Sequence, residues 1–308
     1  MITKSKNQGT AKKNGQNGNG HVTVQSLVTQ DVAFGYPRDF LDNEFVYLVI
    51  SPRAGGLSIG VNVNPILKCT FQCLYCEIDR VQPARTSQFV VKKMIKELEE
   101  TFALAQSGRL REKPRYAKLP DDLLQVRHVA LSGDGEPTLS SYFAEALETI
   151  VHLRVLGGFP FFKIVIVTNS TALDRPKVQH ALKCLTRKDE IWAKLDGGTQ
   201  EYLDKLNGGN IPLEKIMDNI LQVARQRPVV IQSLFPAING APPPVSEIQQ
   251  YAQRLKELKK AGAEIPLVQV YSATRPMART GCSHLPLKSL SQIARTVRRV
   301  AGLRAEVF

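Results

Sequence analysis

The chain of 308 residues has no apolar run that could span a bilayer. The longest near its start is Phe45–Ile50, against the roughly 20 residues a membrane helix needs. The first twenty residues contain no acidic side chain and no apolar core of the kind a secretory signal carries. They hold Lys4, Lys6, Lys12 and Lys13 among Asn, Gln and Gly. So polar a segment buries too little apolar area to offset its ordering entropy, and residues 1–20 read as a disordered basic tail. Cysteine is scarce: Cys69, Cys73, Cys76, Cys184 and Cys282. An odd count with three packed together is not a disulfide framework, and in a reducing compartment such a group points to metal binding or redox chemistry. Acid is also in short supply, 28 Asp and Glu against 41 Lys and Arg, for a net charge of +13. That excess suits a polyanionic partner such as RNA as well as it suits ordinary solubility. Together these absences predict a cytoplasmic protein without a membrane segment.

What is present is a strand–helix rhythm. Residues 21–56 form an N-terminal extension, in which Val46–Ile50 reads as a strand leading into the core. Short apolar runs follow at Leu57–Val63, Val126–Leu131, Phe162–Val167, Glu190–Leu195, Val229–Leu234 and Leu267–Tyr271. Such runs suit parallel strands buried on both faces. Between them apolar residues recur at helical spacing. Val91, Met94, Ile95, Leu98 and Phe102 make one stripe, and Phe143, Ala146, Leu147, Ile150 and Val151 a second. Residues 176–184 read as a short helix, and Ile216, Met217, Ile220, Leu221 and Ala224 mark another with Pro212 near its first turn. Ser246 with Gln249 three residues on has the form of a capping box before Ile248, Tyr251, Ala252, Leu255 and Leu258. Leu290, Ile293, Ala294, Val297 and Val300 form a last stripe, Gly302 suits its C-cap, and Leu303–Phe308 suits a final short strand. Six strand–helix units in series predict right-handed parallel crossovers. The expected fold is α/β, a partial (β/α)6 TIM-like barrel over residues 57–308, with parallel strands and outer helices. In such folds chemistry gathers where the strands end.

The unusual residues follow predicted strand ends. Cys69, Cys73 and Cys76 have the spacing Cys-x3-Cys-x2-Cys. Three thiolates on one short loop can ligate three irons of a 4Fe–4S cluster and leave the fourth open to a substrate or cofactor. The alternative is zinc, which wants a fourth ligand from Cys184, Cys282 or one of the five histidines. No second close cysteine pair accompanies the first, and no histidine has a motif around it.

This loop, with Tyr75 just before its third cysteine, resembles the signature of the radical S-adenosylmethionine (SAM) superfamily. Ser132-Gly133-Asp134-Gly135-Glu136-Pro137-Thr138 resembles the family's Gly-Gly-Glu motif, with Asp134 in place of the first glycine. The resemblance implies that SAM chelates the open iron and that an electron from the reduced cluster cleaves it. The 5′-deoxyadenosyl radical then takes a hydrogen atom from the substrate. It also implies that Gly133, Asp134, Gly135 and Glu136 help hold the methionine amino group of SAM. Thr168-Asn169-Ser170 and Trp192-Ala193-Lys194-Leu195-Asp196 lie at family-like places, so Asn169, Lys194 and Asp196 are further candidates for contact with SAM or substrate; the alternative is that they cap helices and close turns. Alternation puts Lys194 and Asp196 on one side of their strand, where a buried ion pair needs mutual pairing or a ligand.

Asn62-Val63-Asn64-Pro65, Gly135-Glu136-Pro137-Thr138 and Arg275-Pro276 extend the resemblance to one branch, the tRNA wyosine-synthesis enzymes and related iron–sulfur oxidoreductases. The chain departs from that branch's archaeal members, which carry three further cysteines near the N-terminus for a second cluster, because no cysteine precedes Cys69. That argues against a second cluster and against the same tRNA reaction. The resemblance implies an electron donor such as a flavodoxin or ferredoxin, and a substrate that is a small molecule, a peptide or RNA. Arg109, Arg111, Lys113, Arg115 and Lys118, with Arg295, Arg298 and Arg299, are candidate phosphate contacts. Cys282 is either a hydrogen donor or substrate ligand at the active site or an apolar filler, and Cys184 reads as core. A metal-bearing nucleic-acid-binding protein without catalysis, and an activase that places a glycyl radical on a partner, are the competing readings.

Overall fold

A computed structural model describes residues 37–80, 86, 88–274 and 277–308. The basic tail over residues 1–20 and the Arg275-Pro276 pair lie outside the described residues. The chain enters through a short 3₁₀ turn, Pro37–Asp42, and then alternates strands β1 (Val46–Ser51), β2 (Gly56–Val61), β3 (Val126–Leu131), β4 (Lys163–Thr168), β5 (Glu190–Lys194), β6 (Val229–Leu234), β7 (Ala237–Ile238), β8 (Val268–Tyr271), β9 (Cys282–Ser283) and β10 (Ala305–Val307). The helices are α1 (Val91–Gln106), α2 (Phe143–Val155), α3 (Pro176–Ala181), α4 (Gln200–Asn207), α5 (Leu213–Ala224), α6 (Val245–Lys260) and α7 (Leu287–Ala301).

Eight strands form one curled sheet in the order β1-β2-β3-β4-β5-β6-β8-β10. From β2 to β10 every neighbouring pair is parallel, and β1 adds to β2 as an antiparallel edge. This is the α/β partial barrel that the alternation of runs predicts. The β1 edge is pinned by a buried carboxylate: Glu97 on α1 accepts the backbone N–H groups of Glu44, Phe45 and Val46 at 2.8–3.0 Å.

The strands are apolar on both sides because both sides are covered. Ile59, Val129, Ile164, Ile191, Ile231 and Val268 belong to the main core, shared with helix residues such as Met94, Leu147 and Tyr251. Ala130, Val165, Trp192 and Val230, at the alternate positions, make a separate smaller cluster on the concave face. Since the strands are parallel, the segments following β2, β3, β4, β5, β6 and β8 emerge at one rim, while segments that return from helices to strands lie at the other.

One reading is corrected here. The helix over 245–260 starts off Pro244 with no side-chain cap, so Ser246 and Gln249 form no capping box. Glu247 instead turns back to accept from Gly198 N and Thr199 Oγ1. The eight-residue helix α4, absent from the periodicity reading, lies between β5 and α5. Among the described residues no helix is long and apolar enough to cross a membrane.

Candidate active site

The segment after β2 leaves the sheet at Asn62 and carries the three cysteines without regular structure. Its shape comes from polar contacts that satisfy its backbone groups. Asn64 Nδ2 donates to the carbonyls of Lys68 (2.7 Å) and Glu136 (2.8 Å). Gln72 N and Leu74 N donate to the last carbonyls of α4, Asn207 O and Leu206 O, at 2.7 and 2.8 Å. Ala278 N donates to Cys76 O at 2.9 Å. Phe71 is buried beneath the loop and anchors it to the core.

The loop after β3 packs directly on this segment. A Cβ on Gly135 would lie 2.5 Å from Lys68 O and 2.7 Å from Asn64 Nδ2, so only glycine allows the approach. Gly133 packs on Asn62, and Asn62 Nδ2 donates to Asp134 Oδ2 at 2.7 Å. Asp134 thereby faces a recess lined by Phe45, Tyr47, Asn62 and Pro65 beside β1.

Glu136 is buried. Its Oε1 accepts from Thr138 N (3.1 Å), Thr138 Oγ1 (2.6 Å) and Thr168 Oγ1 (2.6 Å), and its Oε2 from Asn169 N (2.6 Å). Burial raises its carboxyl above the usual range, against the lowering effect of those hydrogen bonds. Asn169, at the end of β4, donates through Nδ2 to Thr70 Oγ1 at 2.9 Å and reaches Cys69 Sγ at 3.5 Å, while its Oδ1 accepts from Thr171 N and Thr171 Oγ1 at 3.1 and 2.8 Å.

The end of β5 supplies the other wall. Lys194 Nζ stands 3.3 Å from Asp196 Oδ1, both side chains largely buried, and donates to Tyr271 Oη at 3.0 Å. It also lies 5.0 Å from the Tyr75 ring centroid and 5.3 Å from that of Tyr271. The buried lysine and aspartate therefore pair with each other. Burial works to lower the Lys194 pKa, but the Asp196 carboxylate and then Tyr271 hold it above the ordinary lysine range. Asp196 further accepts from Tyr75 Oη, from Asn207 Nδ2 at 2.9 Å and from Leu234 N at 2.9 Å.

Cys69, Cys73 and Cys76 are half-buried free thiols. Burial pushes the Cys69 thiol up. Burial, then the nearby Asp196 carboxylate, pushes Cys73 up to about 12. Without a metal these two are therefore protonated at neutral pH. As they stand, no three His, Cys, Asp or Glu side chains among the described residues are grouped to hold a metal ion.

A profile of the radical SAM superfamily matches residues 63–240, more than half of the chain and all of the rim from the cysteine loop through β6. The chain belongs to the radical SAM superfamily. It is 27% identical over 229 residues to a UPF0026 protein of Helicobacter pylori, covering 72% of this chain and 66% of that protein. A UPF0026 protein of Synechocystis sp. is 28% identical over 179 residues, 57% of each. The chain thus spans 66% or less of the length of these relatives. A solved radical SAM methyltransferase from Sphaerobacter thermophilus superposes with a TM-score of 0.58 at 14% identity, over 85% of this chain and 68% of that one. TYW1 with a lysine–pyruvate adduct bound superposes with a TM-score of 0.52 at 15% identity, over 83% and 84%. At these identities the two structures show the shared fold.

Of the residues singled out from sequence, the fold brings Cys69, Cys73, Tyr75, Gly135, Glu136, Asn169, Lys194 and Asp196 into one connected network. Asp134 stands aside at the β1 recess. Cys282 is on β9, opposite Ile238, and packs with Leu74, Tyr75, Tyr202 and Leu206. Cys184 packs on the main core at the end of α3. Asn207, Asn64 and Thr171 join the site without having been singled out as site residues.

Proposed function

We propose that Cys69, Cys73 and Cys76 hold a 4Fe–4S cluster and that the adjoining rim binds SAM for radical chemistry on a substrate still to be identified. The observation that supports this reading most is the meeting of consecutive strand-end loops at the cysteine segment: Gly135 and Glu136 after β3, Asn169 after β4, and Asp196 after β5. The donor set suits such a cluster. The three thiols lie on one loop, and amide groups of Asn169 and Asn207 are aimed at the sulfurs of Cys69 and Cys73, as thiolate ligands favour. Thiolates of a cubane each take their own iron, so they need not converge on one point as zinc ligands do. A cluster there would supply the electron that cleaves SAM reductively to methionine and a 5′-deoxyadenosyl radical, which abstracts hydrogen from the substrate.

The chain's own residues then have distinct tasks. Glu136 fixes the β3 and β4 ends together and, with Gly135, sets the depth of the loop beside the cysteines; its Oε2 accepts one protein donor and has capacity for the SAM ammonium. Asn169 and Asp196 present polar groups to the SAM ribose and methionine portions. Lys194, held protonated by Asp196, offers a cation to a carboxylate, and the Tyr75 ring, 5.0 Å from Lys194 Nζ, covers one side of that cation. A small reductant protein such as a flavodoxin or ferredoxin would deliver the electron.

Superfamily membership favours catalysis over a non-catalytic nucleic-acid-binding role. RNA as substrate is the alternative reading, supported by the +13 charge. It is weakened by placement: the basic segment 109–118 connects α1 to β3, at the rim opposite the cysteines. There Arg109 pairs with Glu112 and Arg111 with Asp121. The deciding experiment is anaerobic reconstitution with iron and sulfide, reduction, and addition of SAM. Formation of 5′-deoxyadenosine supports the proposal. A loaded, reduced protein that neither binds nor cleaves SAM overturns it.

A further inference from the structure

Asn207 is the last residue of α4 and is fully buried. Three independent features fix it in place. Thr199 caps the start of α4 through a hydrogen bond from Tyr202 N at 3.2 Å. At the other end, the carbonyls of Leu206 and Asn207, which a helix leaves without intrahelical partners, are taken by the cysteine-loop amides of Leu74 and Gln72. The chain then turns through Gly208 and Gly209, both at positive φ, where a Cβ on Gly209 would lie 2.1 Å from Thr70 O. Helix end and cysteine loop are thus interlocked through backbone groups on both sides.

From this mount the Asn207 amide nitrogen reaches Asp196 Oδ2 at 2.9 Å, Tyr75 Oη at 3.1 Å and Cys73 Sγ at 3.2 Å. Its orientation is dictated by these partners. A carboxylate and a metal-bound thiolate are acceptors only, and the Tyr75 hydroxyl already gives its proton to Asp196, so the face toward Cys73 must present N–H groups. The cost appears on the other side, where Asn207 Oδ1 is buried and accepts no hydrogen bond among the described residues. An orphaned buried acceptor is destabilising and calls for an explanation, and the need for two donors on the opposite side supplies it.

We propose that Asn207 is a positioning residue that sets the reduction potential of the cluster, by donating an N–H···S hydrogen bond to the Cys73 ligand. This rests on the cluster assignment above. A hydrogen bond to a ligand sulfur stabilises the more negative, reduced cluster more than the oxidised one and so raises the potential. The effect is on an equilibrium and needs no contact with substrate.

The test is an anaerobic redox titration of the reconstituted protein followed by electron paramagnetic resonance. Asn207→Leu, which keeps the branched shape but has no N–H to donate, is expected to make reduction about tenfold less favourable, which is about 59 mV for one electron. Cys184→Ala, on the main core at the end of α3, touches none of the groups around Cys73 and is expected to leave the potential near that of the unaltered protein. A second readout is spectroscopic. In protein labelled with ¹⁵N-asparagine, the reduced cluster should show a hyperfine coupling to an asparagine side-chain nitrogen, and one such component should vanish in Asn207→Leu. A loaded protein that cleaves SAM but shows no such coupling, or an Asn207→Leu variant with full iron content and an unchanged potential, overturns the proposal alone. Failure of the unaltered protein to assemble a SAM-cleaving cluster would instead overturn the reading on which it rests.

Discussion

The carboxylate of Glu136 and the backbone N–H of Asn169 meet at 2.6 Å, joining the loop after β3 to the end of β4. The same side chain takes both donors of Thr138 and the hydroxyl of Thr168. Glu136→Ala would leave those donors buried without partners. A loss of about 3–5 kcal/mol is expected, because several buried neutral donors lose their acceptor at about 1–3 kcal/mol each, partly offset by no longer burying the carboxyl. Glu136→Gln keeps the volume and one acceptor oxygen, and should lose less. Denaturant unfolding of the metal-free protein measures both. A shift below about 1 kcal/mol for Ala would show that the network does not hold the rim. Equilibrium binding of SAM to the loaded Gln variant then reads the contact proposed for Oε2, since weaker binding is expected even where the fold survives.

Cys73 is the middle ligand of the proposed cluster, and it is raised to about 12 by burial and by Asp196. Only a metal would hold it as thiolate at neutral pH. Cys73→Ala should bind much less iron and sulfide per chain and form no 5′-deoxyadenosine above background. Cys184→Ala, remote in the core, should retain both. Cluster content and SAM cleavage that survive in Cys73→Ala would remove Cys73 from the ligand set.

The strands were legible because parallel strands covered on both faces are written as continuous apolar runs: Val126–Leu131 and Val229–Leu234 match β3 and β6 residue for residue. The three cysteines of the proposed cluster stood out because they share one short loop and so lie close in sequence. What escaped was set by tertiary contact. Ser246 and Gln249 have the letters of a capping box, yet the chain enters α6 from Pro244 and it is Glu247 that makes the local contact, to a loop 49 positions away. Asn207 escaped because α4 is only eight residues long and polar, and because its partners Cys73 and Asp196 come from two other segments. The role of Glu136 as a clamp was likewise hidden, since its donors at Thr168 and Asn169 lie on the next strand.

His128 gives a pH dependence that stems from the concave face and not from the cysteine rim. It projects there beside Trp192, edge-on at 5.3 Å, with Nε2 2.7 Å from Ser58 Oγ. Burial, then the charges of Lys163 and Arg53, lowers its pKa from 6.5 to about 3. Between those values the unfolded chain binds a proton that the folded chain does not, so stability falls as the pH falls. The contribution is fully present above pH 6.5 and is lost progressively down to about 3. The slope from this one group approaches about 1.4 kcal/mol per pH unit. Urea unfolding of the metal-free protein between about pH 6.5 and 5, above the main range of carboxylate titration, should show it, and His128→Leu should flatten it. An unchanged slope in that variant would mean the ring is charged in the fold or neutral in both states.

Arg154 and Asp189 form the most enclosed of the ion pairs described, with side chains 7% and 0% exposed. Arg154 Nη1 and Nη2 approach the two carboxylate oxygens at 2.6 and 3.1 Å. Asp189 also accepts from Ile164 N, Thr186 N and Thr186 Oγ1 at 2.9, 2.7 and 2.9 Å, and Arg154 donates to Phe162 O at 3.2 Å. The pair therefore ties the end of α2 to the starts of β4 and β5, at the rim opposite the cysteines. Removing one partner strands a buried charge, whereas removing both does not. Asp189→Ala or Arg154→Met alone should each cost about 3–5 kcal/mol, and the double variant clearly less than their sum. Because this rim is remote from the cysteines, iron loading and SAM cleavage per folded molecule should be unchanged below the unfolding temperature. Additive losses would show that the two groups act independently. A loss of cleavage per folded molecule would show that the opposite rim is coupled to the chemistry.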